Sequence, residues 1–400
     1  MNETLLLTVT GKDRPGVTSA IFDVLAHAGV SVVDLEQIVV RRRLVLAVLV
    51  TAPRDSKRLE ASLEQALTQL GMSVDIEVGS GDNTTRPGGR SHVTVIGAPL
   101  KAAAMSAIAG RIADAGGNID RIERMARYPV TAIELDVSGI DPATLRTSLA
   151  KEGAQQGIDV AVQPASLLRH GVRLIVMDVD STLIEGEVIE MLAEHAGFGA
   201  EVAEITERAM QGELDFAESL RARVACLKGL DASVIDEVYD QIVVNPGART
   251  LVRTLRRLGY RFAIVSGGFS QITDRLAADL GIHRARANTL EIVDGRLTGN
   301  VLGEIVDRAG KARALREFAE DLGVPEEATI AIGDGANDLD MLAAAGLGIA
   351  YNARPVVREA ADTTLNVPYL DSIMYLLGIR REEIEAADAA DGIVTPAPPV

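Results

Sequence analysis

Four polar motifs in the second half of the chain contain carboxylates, a hydroxyl and an ammonium group that could act together in acid–base and metal chemistry. The motifs are DVDST (178–182), SGG (266–268), Lys311 and GDGAND (333–338). Three of them follow apolar runs that are typical of buried parallel strands. Because open α/β sheets bind ligands at the carboxyl ends of their strands, we expect these motifs to meet in one site.

The two aspartates of the first motif suit a division of roles. Strand alternation directs the side chains of Asp178 and Asp180 to the same side. Two neighbouring carboxylates repel each other, so they need a cation or a shared proton. One can stay ionised as a nucleophile and metal ligand, while the other, with a raised pKa, protonates a leaving alkoxide. The carboxylates of Asp178 and Asp334 offer the hard oxygen ligands that Mg²⁺ prefers.

The remaining motifs suit an anion that carries several oxygens. The Ser266 hydroxyl and the neighbouring backbone N–H groups, at the start of a helix, favour phosphate oxygens. Lys311 could neutralise both a phosphate and a nucleophilic carboxylate. Each motif alone has a simpler interpretation, since aspartates cap helices, SGG forms turns and most lysines are solvated. The occurrence of all four in this order favours a functional site.

Apolar runs separated by helical segments predict a mostly parallel α/β sheet, the Rossmann-like arrangement, from residue 171 to residue 378. Between its first two strands, residues 184–245 have a helical pattern without a strong strand, which indicates an inserted helical cap. Residues 289–301 predict a β-hairpin with an Asp294-Gly295 turn. The alanine- and proline-rich end, residues 379–400, predicts a flexible tail.

The first third of the chain contains one pattern twice. Residues 1–80 follow the order β-α-β-β-α-β, the α+β ferredoxin-like arrangement, and residues 92–165 repeat it. The loop at Gly11 corresponds to the loop at Gly97, an offset of 86 residues. A polar segment, residues 81–91, reads as a linker between the copies. Two small related domains are therefore expected before the α/β domain.

The net charge and the cysteine content limit the kinds of binding partner that the protein is expected to have. The 400 residues carry a formal net charge of −17 and a single cysteine, Cys226. A negative field of this size disfavours nucleic acid and anionic membranes. One cysteine excludes a disulfide framework, and neither a signal peptide nor an apolar run of membrane-spanning length is evident, so a cytoplasmic protein is expected. An anionic substrate would need local cations or a metal.

The ordered motifs DVDST, SGG, Lys311 and GDGANDLDM resemble those of the haloacid dehalogenase superfamily of phosphotransferases. The resemblance implies Asp178 as the nucleophile and Asp180 as the general acid and base. It implies Mg²⁺ bound by Asp178, Asp334 and the backbone carbonyl of Asp180, with Asp338 supporting these ligands. It implies that Ser266, Gly267 and Lys311 hold the transferring phosphoryl group, and Asn337 is a further candidate substrate-binding residue.

Three segments at the cap, DVDSTLIEGEVIE, MQGELDFAESLRARV and VNPGA, resemble those of phosphoserine phosphatases. The resemblance implies O-phospho-L-serine as substrate, in the last step of L-serine biosynthesis. Glu187 would face its ammonium group and Arg223 its carboxylate, beside an apolar wall of Met210 and Phe216. Spacing alone favours a simpler interpretation of Glu187 and Arg223 as solvated helix charges, and the resemblance shifts the balance toward substrate binding.

The N-terminal repeats resemble ACT domains, which bind amino acids and regulate enzymes of amino-acid metabolism. In the first copy, the DRPG loop offers Asp13 and Gly16 near a helix start, where N–H groups could hold the carboxylate of L-serine. The alternative is a Pro/Gly turn that serves only dimerisation. The second copy lacks DRPG and has Ala102 near the position of Gly16. ACT domains usually pair their sheets, so a homodimer is expected.

Two other functions remain open on the sequence. The first is a sister enzyme on the same scaffold that hydrolyses another small phosphate ester or transfers its phosphoryl group to an alcohol. The second is an amino-acid sensor whose phosphatase half is vestigial. Every catalytic position of the motif set is filled, which favours an active enzyme over the sensor.

Overall fold

The computed structural model of the protein describes residues 3–81, 89–166, 169, 171, 173–210 and 215–395, without the side chains of residues 207, 209 and 210. The chain forms two compact units that divide at Arg86. The predicted linker lies mostly outside the described residues, and the first strand after it begins at Arg90.

The first unit is an antiparallel four-stranded sheet covered by two helices. Its elements are β1 (Glu3–Lys12), α1 (Val17–Ala28), β2 (Val32–Val40), β3 (Arg43–Thr51), α2 (Ser56–Gln69) and β4 (Met72–Ser80). The strand order is β2-β3-β1-β4. Alternating residues of β1, such as Leu5 and Leu7, are fully buried against the helices. The predicted ferredoxin-like arrangement is confirmed.

The second unit begins with the second copy of the same fold. Its elements are β5 (Arg90–Gly97), α3 (Ala102–Asp114), β6 (Asn118–Ala126), β7 (Thr131–Ser138), α4 (Pro142–Gln156) and β8 (Asp159–Pro164). The order β6-β7-β5-β8 reproduces that of the first sheet. The internal repeat in the sequence therefore corresponds to a structural repeat.

The α/β domain follows with a seven-stranded sheet in the order β12-β11-β10-β9-β13-β14-β15. The strands are β9 (Leu174–Met177), β10 (Arg261–Phe269), β11 (Arg284–Val293), β12 (Arg296–Leu302), β13 (Thr329–Gly333), β14 (Leu347–Tyr351) and β15 (Thr363–Leu365). All neighbours pair in parallel except β11 and β12. Those two form the predicted hairpin, because Asp294 and Gly295 have the positive φ angles of 50° and 75° that its two-residue turn requires.

Helices cover both faces of this sheet and fill the segment between β9 and β10. The four helices of that segment are α5 (Val188–Ala196), α6 (Gly199–Met210), α7 (Phe216–Ala225) and α8 (Val234–Gln241). The others are α9 (Ala248–Arg257), α10 (Ser270–Leu280), α11 (Arg308–Leu322), α12 (Leu339–Ala344), α13 (Pro355–Ala360), α14 (Ile373–Leu376) and α15 (Arg381–Ala390). An antiparallel bridge between Ile184 and Val244 closes the base of the inserted segment.

The second small domain and the α/β domain share one hydrophobic core. Ile96, Met125 and Val130 of the former belong to the same buried cluster as Tyr375 and Leu377 of the latter. Polar contacts cross the same boundary: Asp159 accepts hydrogen bonds from the backbone and side-chain N–H groups of Asn366. Burial raises the pKa of Asp159 to about 6, although these bonds oppose the rise.

The expectation of a flexible tail from residue 379 is wrong for residues 381–390. These residues form α15, whose Ile384 and Asp388 are buried. Asp388 accepts hydrogen bonds from Arg253 and Arg257 of α9. These buried contacts fix the helix to the α/β domain; residues 396–400 lie outside the described residues. Within the described residues, every helix is too short or too polar to traverse a lipid bilayer.

Candidate active site

The carboxyl ends of the central strands carry the first and last of the sequence motifs. Asp178 follows the last residue of β9, and Asp334 follows the last residue of β13, its direct neighbour in the sheet. The backbone N–H of Asp178 donates a 2.9 Å hydrogen bond to the carbonyl of Ile332. This pairing places the two aspartates side by side at one edge.

Lys311 is the cation of the site. It lies in the first turn of α11. Asp307 caps the start of this helix, because its side chain accepts a hydrogen bond from the backbone N–H of Gly310. Its Nζ atom is 2.7 Å from Asp178 Oδ1 and 2.7 Å from Asp338 Oδ1. Burial alone would lower the pKa of Lys311, but these two carboxylates raise it above its ordinary value. The lysine is therefore charged and holds Asp178 in a fixed position.

Asp180 is held from two sides. Its Oδ2 atom accepts a 3.0 Å hydrogen bond from the Ser266 hydroxyl, and its Oδ1 atom accepts a 2.9 Å bond from the backbone N–H of Val188. Burial raises the pKa of Asp180, while these hydrogen bonds lower it less. Burial and the nearby carboxylate of Asp338 also raise the pKa of Asp178, against the effect of Lys311. The site thus combines a lysine-bound carboxylate with one that can carry a proton.

The donor set at this edge fits a hard divalent cation. Carboxylate oxygens of Asp178, Asp334 and Asp338 lie within 4.8 Å of one another. Asp338 uses one oxygen for Lys311 and the other for the N–H of Gly335. Among the described residues, Asp178 Oδ2 and Asp334 Oδ2 accept no hydrogen bond, so both can face an ion.

The excess of negative charge in the site also favours a divalent cation. Four aspartates face a single lysine in a buried site, which leaves an excess of negative charge. Burial, followed by the repulsion of Asp338, raises the pKa of Asp334 to about 6, although Thr182 donates a 2.8 Å hydrogen bond to it. A divalent cation would remove this electrostatic cost.

The SGG motif, which we call the SGG loop, lies near the carboxyl end of β10, where the pairing with β11 becomes irregular. The Ser266 hydroxyl accepts a 2.7 Å hydrogen bond from the N–H of Gly268. A Cβ atom at Gly268 would lie 2.9 Å from both the Ser266 hydroxyl and Asp180 Oδ2, so a glycine is required there. The loop thereby presents a hydroxyl and backbone donors close to the aspartates.

The cap helices bring two opposite charges toward the same edge. Glu187 precedes α5 and accepts a 3.3 Å hydrogen bond from the Ser181 hydroxyl. Burial, followed by the repulsion of Asp180, raises the pKa of Glu187 to about 8. Arg223 of α7 is 8% exposed, and burial lowers its pKa while Glu187 opposes that change. Within the described residues no ion pair joins Glu187 and Arg223, so each side chain can bind a third group.

An aromatic ring connects the cap to the SGG loop. A Cβ atom at Gly267 would lie 2.8 Å from the ring of Phe216, which places this ring directly on the loop. Asn337, in the short helical turn after Asp334, lies at the same edge and is half-buried. The side chain of Met210, expected beside Phe216, lies outside the described residues.

Two buried or half-buried asparagines support the site and were missed by sequence reasoning. Asn288 is 1% exposed; its Nδ2 atom donates to the carbonyl of Gly267 at 2.8 Å, and its Oδ1 atom accepts from the N–H of Val306 at 2.8 Å. Asn245 donates a 2.7 Å hydrogen bond to the carbonyl of Thr182. Single asparagines far away along the chain give no local signal. Thr182, by contrast, lies within the first motif and could have been singled out.

The two small domains differ at the loop where an amino-acid ligand is expected. In the first, Gly16 has a φ of 91° directly before α1, and the N–H of Asp13 donates to the carbonyl of Arg42. In the second, Lys101 precedes α3 in an extended conformation with a φ of −86°. The left-handed glycine turn is therefore specific to the first copy.

Comparison with known proteins agrees with this geometry. Residues 175–343 match the model of haloacid dehalogenase-like hydrolases, and residues 3–77 and 90–163 each match an ACT domain. The chain is 60% identical over 387 residues to a phosphoserine phosphatase of Streptomyces coelicolor, covering 96% of this chain and 94% of the relative. The chain belongs to the phosphoserine phosphatase family of haloacid dehalogenase-like hydrolases. It is an enzyme of the phosphatase class with two N-terminal ACT domains.

Further members and solved structures support this family assignment. Phosphoserine phosphatase SerB2 of Mycobacterium tuberculosis is 53% identical over 393 residues, covering 97% of this chain and 96% of the relative. A haloacid dehalogenase family hydrolase from Salmonella enterica serovar Typhi has a TM-score of 0.64 at 30% identity, covering 72% and 98% of the two chains. A substrate-bound phosphoserine phosphatase has a TM-score of 0.50 at 39% identity, covering 52% and 98%.

Proposed function

We propose that this protein hydrolyses O-phospho-L-serine to L-serine and phosphate through an aspartyl-phosphate on Asp178. The observation that carries the proposal is the contact of Lys311 with Asp178 beside Asp180. Lys311 fixes the carboxylate of Asp178 in place for attack on phosphorus, and Asp180 lies beside it to protonate the leaving oxygen. The full-length similarity to phosphoserine phosphatases supports the substrate.

The reaction has two displacements at phosphorus. In the first, Asp178 forms a P–O bond while the bond between phosphorus and the serine oxygen breaks, and Asp180 gives its proton to that oxygen. In the second, Asp180 takes a proton from water, which attacks phosphorus and breaks the P–O bond to Asp178. The raised pKa of Asp180 suits a group that must begin protonated.

The phosphoryl oxygens would meet Lys311 and the donors of the Ser266–Gly267 loop, with Asn337 nearby. Mg²⁺ would be held by Asp178, Asp334 and the backbone carbonyl of Asp180, where it would neutralise negative charge on the transferring group. Asp338, with both oxygens engaged by Lys311 and Gly335, would orient the lysine rather than bind the ion. The unsatisfied oxygens of Asp178 and Asp334 support this division.

The amino-acid part of the substrate would lie under the cap. Its ammonium group would approach Glu187 and its carboxylate Arg223, because both side chains are buried under the cap and no ion pair joins them among the described residues. The Phe216 ring, packed on Gly267, and Met210 would form the apolar wall beside the serine methylene.

Phosphate release from a panel of small esters tests this function. The panel contains phosphoserine, phosphothreonine, phosphotyrosine and phosphoglycolate, each with Mg²⁺ and with EDTA. We expect metal-dependent release with a strong preference for phosphoserine. Metal-dependent release from another ester would keep the chemistry and refute the substrate. No release from any ester would favour an amino-acid sensor with a vestigial phosphatase half.

We propose further that L-serine regulates the enzyme at the first ACT domain, near Asp13 and Gly16, and that ACT domains mediate a homodimer. The left-handed turn at Gly16 exposes the N–H groups at the start of α1, which supports a carboxylate ligand. Calorimetry of the full chain with L-serine, for the native protein and Gly16→Val, tests the site. Unchanged binding in the variant would refute it. The cytoplasmic location expected from the single cysteine stays a prediction.

A further inference from the structure

Away from the catalytic edge, the α/β domain contains a cavity lined mainly by arginine side chains. It has a volume of about 480 Å³ and is bordered by Arg249, Arg253, Arg256, Arg257, Asp279 and Leu280, which we call the arginine pocket. The four arginines occupy positions i, i+4, i+7 and i+8 of α9, so they share one face of the helix. Clustered guanidinium groups repel one another, and such an arrangement favours an anion between them.

Two of the four arginines already bind a carboxylate of the chain. Asp388 of α15 is fully buried and accepts hydrogen bonds from Arg253 Nε at 3.0 Å and Arg257 at 2.6 Å. Although burial raises the pKa of Asp388, these bonds lower it to about 2. The helix face is therefore positive enough to keep a buried carboxylate ionised.

The other two arginines lack such a partner. Within the described part of the chain, no carboxylate is within ion-pair distance of Arg249 or Arg256. Asp279, the one acidic residue of the lining, accepts a 2.6 Å hydrogen bond from the Tyr239 hydroxyl instead. The Arg256 guanidinium lies over Gly281 at the end of α10, where a Cβ atom would occupy its place. This position orients Arg256 without neutralising it.

The positive charge extends beyond the pocket lining. Burial lowers the pKa of His283, and the charges of Arg261 and Arg256 lower it further. A local excess of cations is unusual in a chain with a net charge of −17. Since that overall charge repels anions, a site that concentrates guanidinium groups would be needed to bind one away from the catalytic lysine.

The pocket is separate from the catalytic edge. The C-terminal end of α9 leads directly into the amino end of β10, whereas Ser266 lies near the carboxyl end of that strand. The other end of α9 starts beside Asn245, which supports the loop that carries Thr182. The pocket extends along α9 from Arg249, near the start of the helix, to Arg257 at its end, so a ligand there would contact a helix whose start adjoins the catalytic loops.

We propose that the arginine pocket is a second anion site, which binds a small phosphate-bearing molecule through Arg249 and Arg256. Guanidinium groups form paired hydrogen bonds with phosphate oxygens, and a 480 Å³ cavity accommodates a molecule with two such groups. Anion binding in the arginine pocket does not depend on which substrate the catalytic site hydrolyses. The proposal is therefore independent of the proposed function.

Calorimetric titration with inorganic pyrophosphate tests the site. The full chain is first stripped of metal over a chelating resin, so that the unneutralised aspartates of the catalytic edge repel the probe, and ionic strength is held constant. We expect about one pyrophosphate bound per chain. In Arg249→Gln/Arg256→Gln, loss of two charged hydrogen-bond donors should weaken binding by at least about tenfold.

A matched variant separates specific binding from the loss of net charge. Arg313→Gln/Arg316→Gln removes the same charge from two exposed arginines of α11 and should leave the affinity within about twofold, since exposed charges are well screened. Phosphoserine hydrolysis by both double variants reports that they are folded. No pyrophosphate binding by the native chain would overturn the proposal. Equal weakening in both double variants, or none in the pocket variant, would also overturn it.

Discussion

Lys311 Nζ lies 2.7 Å from Asp178 Oδ1, and the same ammonium group reaches Asp338 at an equal distance. The lysine is 1% exposed, so this charge is available only to the groups inside the site. From this position the ammonium group can hold the carboxylate that we propose as the nucleophile and can attract the phosphoryl group.

Lys311→Met should reduce kcat for phosphoserine by at least about a hundredfold, because a preorganised charge at the transferring group is lost. The change also leaves Asp178 and Asp338 facing each other without a cation. Steady-state kinetics with saturating Mg²⁺ measures the effect. Arg313→Met, on the exposed face of the same helix, is the control and should retain activity. A Lys311→Met enzyme with near-normal kcat would contradict the role given to the lysine.

Asn288 should act as a positioning residue for the SGG loop. Asn288→Asp keeps the oxygen that accepts from Val306 but loses the donor to Gly267, so the loop carbonyl meets a carboxylate instead. Because small displacements of binding groups are costly, kcat should fall by about ten- to a hundredfold. Asn300→Asp, in the exposed hairpin, should leave kcat unchanged.

If Asn288 only stabilised the fold, the result would differ. The variant would then melt at a lower temperature yet keep its kcat when assayed well below that temperature. Measuring thermal unfolding alongside kcat and KM separates the two outcomes. Loss of stability without loss of kcat would refute the positioning role.

Glu187→Gln and Arg223→Gln should each remove recognition of the amino-acid part of the substrate. We expect kcat/KM for phosphoserine to fall by about ten- to a hundredfold, since a charged hydrogen bond is lost. Hydrolysis of an aryl phosphate, which has neither an ammonium group nor a carboxylate, should change by less than about fivefold. Glu194→Gln, an exposed change on α5, is the matched control. Equal loss of both activities would show that the two residues do not select the substrate.

The contact between α9 and α15 should make stability depend on pH in acid. The pKa of Asp388 is lowered to about 2 in the folded protein, below its ordinary value of 3.8. Its contribution to the free energy of unfolding is therefore complete above about pH 4 and is lost as the pH falls toward 2. Asp388→Asn should remove that part of the acid dependence.

We expect this contribution to be about 1 kcal/mol, because Arg253 and Arg257 remain partly exposed and solvent screens the pairs. Urea unfolding of both proteins at pH 3 and pH 6 measures it. A variant that loses as much stability as the native protein between these pH values would contradict the assignment. Glu385→Gln, an exposed change on α15, serves as the control.

The site residues that could be predicted from the sequence are those that occur in short motifs of polar residues. Asp178 and Asp334 directly follow apolar strands and Asp180 is two residues further on, so strand ends and alternation suffice to place them together. The contacts of Asn288 could not be found in this way. Its partners lie 21 and 18 residues away, and only the folded sheet brings them together.

Elements of the fold could be predicted where a local sequence pattern determines them. They could not be predicted where the burial of a segment depends on residues far away along the chain. The hairpin at Asp294 follows from two residues. Helix α15 was missed because its acidic and alanine-rich sequence resembles a solvated tail, while Asp388 finds its arginine partners more than 130 residues away. The shared core was also missed, since apolar residues such as Met125 and Val130 are equally consistent with a separate domain.

The central claim is that Asp178 carries the phosphoryl group. The most direct measurement mixes the enzyme with phosphoserine labelled in its phosphate, stops the reaction with acid within milliseconds, and identifies the labelled peptide. We expect the label on the peptide that contains Asp178, and none in Asp178→Asn. A label on a different residue, or unimpaired phosphoserine hydrolysis by Asp178→Asn, would contradict the account.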